Sequence, residues 1–195
     1  MSSLPPISSL SSLAAEQRAG VLDLLFEPST PLHTLSVELL SNQTFASYND
    51  LIAAVGVQLT DLSESSSVSD TKWLESILGS HPRLGAKKVE GAQSQAEQAQ
   101  LNTGGEEEAH KLRDLNEEYE KTYPGLRYVV FVNGRSRPVI MEDMKRRIAA
   151  GDIVAERAAA IKARLHDHFV LQDILTGKQA MCEIAADRAS KLQKA

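Results

Sequence analysis

Apolar residues recur at intervals of three and four along most of this sequence, and that rhythm confines the chain to a helical fold. Val21, Leu22, Leu24, Leu25 and Phe26 form one such face, closed by Pro28, which lacks the amide a continuing helix needs. Pro31 can open the next helix, with Leu32, Leu35, Leu39 and Leu40 in register. Leu51, Ile52, Val55 and Leu59 mark a third, over Tyr48 to Leu62. A serine-rich loop, Ser63 to Ser69, leads to a fourth through Trp73, Leu74, Ile77 and Leu78, with Asp70 as its expected cap. Another helix starts at Ser94, and Glu106 to Tyr123 is a long charged one that turns Leu112, Leu115 and Tyr119 inward. Helices are also expected over Pro138 to Ala150, Val154 to Leu175 and Lys178 to Gln193. Only Tyr128 to Val132 reads as β-like, ahead of the turn signal Asn133-Gly134. The expected fold is all-α, a single multihelical domain of about eight or nine helices with one short extended segment near 128–132. That domain covers residues 13–195, and the Ser- and Pro-rich residues 1–12 are expected to be a flexible leader.

Charge and composition remove several functions. A net charge of −5 over 195 residues argues against a dedicated nucleic-acid binder, and 5% aromatic residues leave few platforms for stacking bases. The single cysteine, Cys182, excludes an internal disulfide and a multi-cysteine zinc site, and its Ala and Ile neighbours suit a buried small hydrophobe. No apolar run approaches the roughly 18 residues of a membrane span, so no membrane partner is expected. Met1 to Pro6 has neither the basic start nor the apolar stretch of a signal peptide. Ser190-Lys191-Leu192 spells a peroxisomal tripeptide, but three residues follow it. A cytoplasmic location is therefore expected, with the peroxisome as the alternative. His81, His110, His166 and His168 coexist with many acids, yet no H-E-x-x-H or comparable ligand spacing occurs, so no metal site is expected.

Three local features can carry chemistry. His81-Pro82-Arg83-Leu84-Gly85 stands at a helix exit, where a rigidly held imidazole can exchange protons near neutral pH. The same residues also read as a helix end followed by a stop signal. Ser94-Gln95-Ala96-Glu97-Gln98 is a capping box by pattern, and equally a set of polar groups around the free amides of a helix N-terminus. Arg164 shares a helical face with Ile161, Leu165 and His168, so its guanidinium needs an anion, either an internal carboxylate or a bound one.

Taken together and in order, these features resemble the OHCU decarboxylase family. Its members act on 2-oxo-4-hydroxy-4-carboxy-5-ureidoimidazoline (OHCU) in urate degradation. The resemblance rests on His81-Pro82-x-Leu84-Gly85, Ser94-x-x-Glu97-Gln98, Leu115-Asn116-x-x-Tyr119, Tyr128-Val129-Val130 and Arg164-Leu165, and it spans roughly Phe26 to Leu175. Pro124-Gly125-Leu126-Arg127 departs from the pattern expected ahead of the extended segment.

The resemblance implies an all-helical enzyme without a cofactor, working as a homodimer on a small anionic substrate. It implies that His81 is catalytic with Glu97 as its partner carboxylate. Pro82, Ser94 and Gln98 then contact the substrate, Arg164 engages its charge, and the backbone of Tyr128, Val129 and Val130 lines the pocket. Two alternatives stay open: a related helical binding or interaction module, and a family member that acts on a different ureido or imidazoline compound.

Overall fold

The structure, a computed structural model, describes residues 3–86, 105–130, 135–161 and 180–193. The described residues form helices and no strand, as the periodicity predicts. In chain order the α-helices are α1 (Ala15–Leu25), α2 (Thr30–Asn42), α3 (Tyr48–Glu64), α4 (Val68–Leu78), α5 (Glu106–Thr122), α6 (Arg137–Ala150), α7 (Ile153–Ile161) and α8 (Ala180–Gln193). A 3₁₀ turn, Ile7–Ser12, precedes them.

Local chemistry explains the boundaries. Ser29 accepts the Leu32 amide at the head of α2, where Pro31 sits in the first turn without losing a bond. Ser47 accepts the Asp50 amide and donates its hydroxyl to the Asp50 carboxylate, closing the start of α3. α4 differs from expectation. It begins at Val68 with Ser67 before it, and Asp70 lies inside the first turn, where an acid suits the helix dipole. Asp70 is drawn back by the Ser65 hydroxyl at 2.5 Å, while Ser67 is engaged with Ser69, so neither side chain caps a helix amide. In α5, Glu106, Glu107 and Glu108 occupy the first turn and Lys121 the last, an arrangement that follows the dipole at both ends. α6 ends at Gly151, whose φ of 63° is a left-handed stop, and the Asp152 carboxylate then accepts the amides of Val154 and Ala155 to start α7.

α3 is the centre of the packing. It buries Tyr48, Leu51, Ile52, Val55, Gly56 and Leu59 and touches α2, α4, α7 and α8. α1 packs between α2 and α8, so the first and last described helices lie side by side. α5 packs chiefly on α6, with Leu112, Leu115, Asn116 and Tyr119 inward. The residues ahead of α1 also reach the core: Leu4 and Leu10 are buried, and the Tyr48 hydroxyl donates to the Pro5 carbonyl at 2.7 Å. Burial pushes the Tyr48 hydroxyl up to about 12. No described helix is long and apolar enough to cross a membrane.

Candidate functional site

The chain leaves α4 abruptly, and His81 is the third residue beyond its end. Gly79 donates its amide to the Glu75 carbonyl at 2.8 Å, and Ser80 sends both its amide and hydroxyl to the Ile77 carbonyl. The last carbonyls of the helix are thus used locally. Gly79 has a second task. A Cβ built there would lie 2.8 Å from the Gly125 carbonyl oxygen and 2.9 Å from that of Glu75. The missing side chain therefore lets the Pro124-Gly125 turn press against the helix end, and Gly125 makes that turn with φ 88°. This contact makes neighbours of the His81 turn and the segment that continues to Tyr128. Gly79→Ala should cost about 1–3 kcal/mol, because both clashing atoms are backbone. The melting midpoint of the variant should fall by roughly 2–10 °C, as read by thermal unfolding.

α5 holds the turn after His81 at three points. Arg83 reaches Glu120 with two bonds, Nε at 2.6 Å and Nη2 at 2.5 Å. The Asn116 amide donates to the Leu84 carbonyl at 3.1 Å as well as to Leu112 in its own helix at 2.8 Å. Gly85 crosses over Leu112 with φ 80°, and an added Cβ would meet Leu112 Cδ2 at 2.7 Å. Arg127 pairs with the same Glu120 carboxylate. Partial burial works to raise the Glu120 carboxyl, but hydrogen bonds from Arg83 and Arg127 outweigh it and hold the group below the usual range.

His81 itself faces a buried acid absent from the sequence-derived set. Glu27 Oε1 lies 3.6 Å from His81 Nδ1, and the same oxygen accepts Arg188 Nη2 at 2.8 Å. Arg188 is 1% exposed and also donates through Nη1 to the Phe26 carbonyl at 2.6 Å. A sequence signal existed for Arg188 alone: it shares the α8 face of Ile184, Ala185 and Leu192, the pattern that singled out Arg164.

Tyr128, Val129 and Val130 are buried, lie outside any helix and join no strand among the described residues. A network behind them replaces a strand neighbour. Arg147 Nη1 donates to the Val129 carbonyl at 3.1 Å, and its guanidinium sits 4.7 Å from the centre of the Tyr128 ring. The other face of Arg147 grips both oxygens of Glu156, which also accepts the Tyr119 hydroxyl. Tyr128 donates to Asp143 at 2.6 Å, and its ring meets Tyr119 edge-on at 5.4 Å. Burial first, then the nearby carboxylates, push both tyrosine hydroxyls well above their ordinary value. Burial opposes the charge on Arg147, but Glu156 more than compensates and keeps it protonated.

Of the sequence-derived site residues, the structure places His81, Pro82, Tyr128, Val129 and Val130 on two segments that meet through Gly79 and Gly125. Ser94, Glu97, Gln98 and Arg164 lie outside the described residues, as do the helix expected from Ser94, the end of the β-like run and the side chain of Cys182. Among the described residues, no three His, Cys, Asp or Glu side chains are grouped to hold a metal ion. No curated protein matches the sequence. The OHCU decarboxylase family, in contrast, matches residues 11–190 of the 195, so the match covers every element from α1 through most of α8. With that extent of match, and with the all-helical architecture in place, the chain belongs to the OHCU decarboxylase family, the decarboxylases of urate degradation.

Proposed function

We propose that this chain converts OHCU to (S)-allantoin and carbon dioxide without metal or organic cofactor, as a homodimer. The observation that supports this reading most is the fixation of His81. Its turn is tied to α5 by Arg83, Leu84 and Gly85, and its ring faces a buried carboxylate. A histidine held this way is suited to moving a proton at one chosen position.

The substrate carboxylate departs from a carbon next to carbonyl and imine groups. The electron pair of the breaking carbon–carbon bond passes into the ring, so no external electron sink is required. What the protein must supply is orientation of the carboxylate, charge opposite the developing anion, and a proton on one face. In this reading His81 and Glu97 position the substrate hydroxyl and carboxylate and deliver the proton that fixes the (S) configuration. Arg164 supplies positive charge, Pro82, Ser94 and Gln98 contact the ring and ureido group, and the backbone of Tyr128 to Val130 walls the pocket.

The test uses OHCU generated fresh in the cuvette, because the compound also decays spontaneously to racemic allantoin. Circular dichroism should report faster loss of OHCU and an excess of (S)-allantoin. Racemic product formed at the uncatalysed rate by folded protein would overturn the assignment and turn attention to another ureido compound. Sedimentation velocity reads the homodimer separately.

A further inference from the structure

We infer that Glu27 and Arg188 form a positioning pair that sets the orientation and protonation of the His81 imidazole. The inference deepens the function proposed above and rests on His81 being its acid–base group. Glu27 is the second residue beyond the end of α1, next to its C-cap Phe26, and is buried, so its carboxylate requires a compensating charge. Arg188 supplies that charge from α8, 161 residues away in sequence. It also holds the carbonyl of Phe26, the residue just before Glu27. The carboxylate is thereby fixed through both its backbone and its side chain.

The oxygen that accepts Arg188 is the one 3.6 Å from His81 Nδ1. That separation is an ion-pair distance that a small ring rotation converts to a hydrogen bond, and catalytic contacts commonly tighten when substrate binds. A carboxylate facing Nδ1 favours the proton there and leaves Nε2 to give or take the reacting proton. Arg188 carries the opposite charge and offsets part of the field that the Glu27 carboxylate sets up at the ring. Among the described residues, neighbouring charges on this turn and the helices beside it form pairs of their own: Arg83 and Arg127 with Glu120, and Glu75 with Arg157 at 2.5 Å. The Glu27 and Arg188 charges therefore act on His81 with opposite sign.

Full-length protein should be titrated by NMR of the histidine rings, with the His81 signal assigned by its loss in His81→Asn. Glu27→Gln removes the negative charge and should lower the His81 midpoint by roughly one pH unit. Arg188→Gln removes the positive charge and should raise it, and the double variant should return near the parent value. Circular dichroism and thermal melting check that each variant is folded. In the OHCU assay, Glu27→Gln should lower kcat by about 10- to 100-fold, the scale for losing a partner that orients a working imidazole. KM should stay within about threefold, and Glu27→Asp should restore most of kcat. If Arg188→Gln does not fold, Glu27→Gln decides alone. An unmoved His81 midpoint in folded Glu27→Gln, or shifts of the same sign in both single variants, overturns the inference. Absence of OHCU turnover in the parent protein overturns the proposed function instead, and the ring titration still tests the pair.

Discussion

His81→Asn is expected to lower kcat for OHCU decarboxylation by about 10²- to 10⁴-fold, the usual contribution of a positioned general acid or base. Asparagine matches the size of the imidazole near its ring base and can still offer an amide toward Glu27, so the turn loses titration rather than shape. Its supports are untouched by the change: Arg83 on Glu120, Leu84 on Asn116 and Gly85 over Leu112. The enantiomeric excess should fall with the rate, because spontaneous decay then supplies a growing share of racemic product. Stopped-flow circular dichroism on fresh OHCU reads both quantities in one trace. Full turnover with an unchanged (S) excess in folded His81→Asn protein would remove His81 from the mechanism.

The helices were legible because their signals are local. Apolar spacing marked α1 through α4, and Pro31 and Pro138 sit in the first turns of α2 and α6, where proline costs no bond. Asp70 was misplaced for an equally local reason: Ser65, Ser67 and Ser69 compete for the same hydrogen bonds, and pattern alone does not rank them. The site was legible in part. His81, Pro82 and Tyr128 to Val130 belong to short motifs, and the structure gives two other motif residues clear tasks, Asn116 on the Leu84 carbonyl and Tyr119 on Glu156. Glu27 was not legible, since nothing next to Phe26 and Pro28 reveals a partner 161 residues away. Arginines on apolar faces tell the same story. The pattern says that Arg147 and Arg188 need anions, but only the fold shows that these are Glu156 and Glu27.

The largest stability loss is expected from Glu156→Ala, at about 3–5 kcal/mol. The substitution leaves the Arg147 guanidinium in the core with the more distant Asp143 carboxylate at 3.8 Å and takes the acceptor from the buried Tyr119 hydroxyl. Against the 5–15 kcal/mol typical of a folded domain, that loss is large enough to move the urea midpoint by roughly 1–3 M. Most of the cost is the poorly compensated buried charge rather than the worth of the pair. Removing both charges in Arg147→Met/Glu156→Gln should therefore recover a substantial part of the stability, which a double-mutant cycle measures directly. Activity should not recover with it. Arg147 also holds the Val129 carbonyl and covers the Tyr128 ring, and methionine does neither with a charged donor. The double variant should melt close to the parent yet bind substrate poorly, with KM raised more than kcat is lowered. Equal recovery of stability and KM would mean that Arg147 serves the core alone, and that the Val129 segment keeps its place without it.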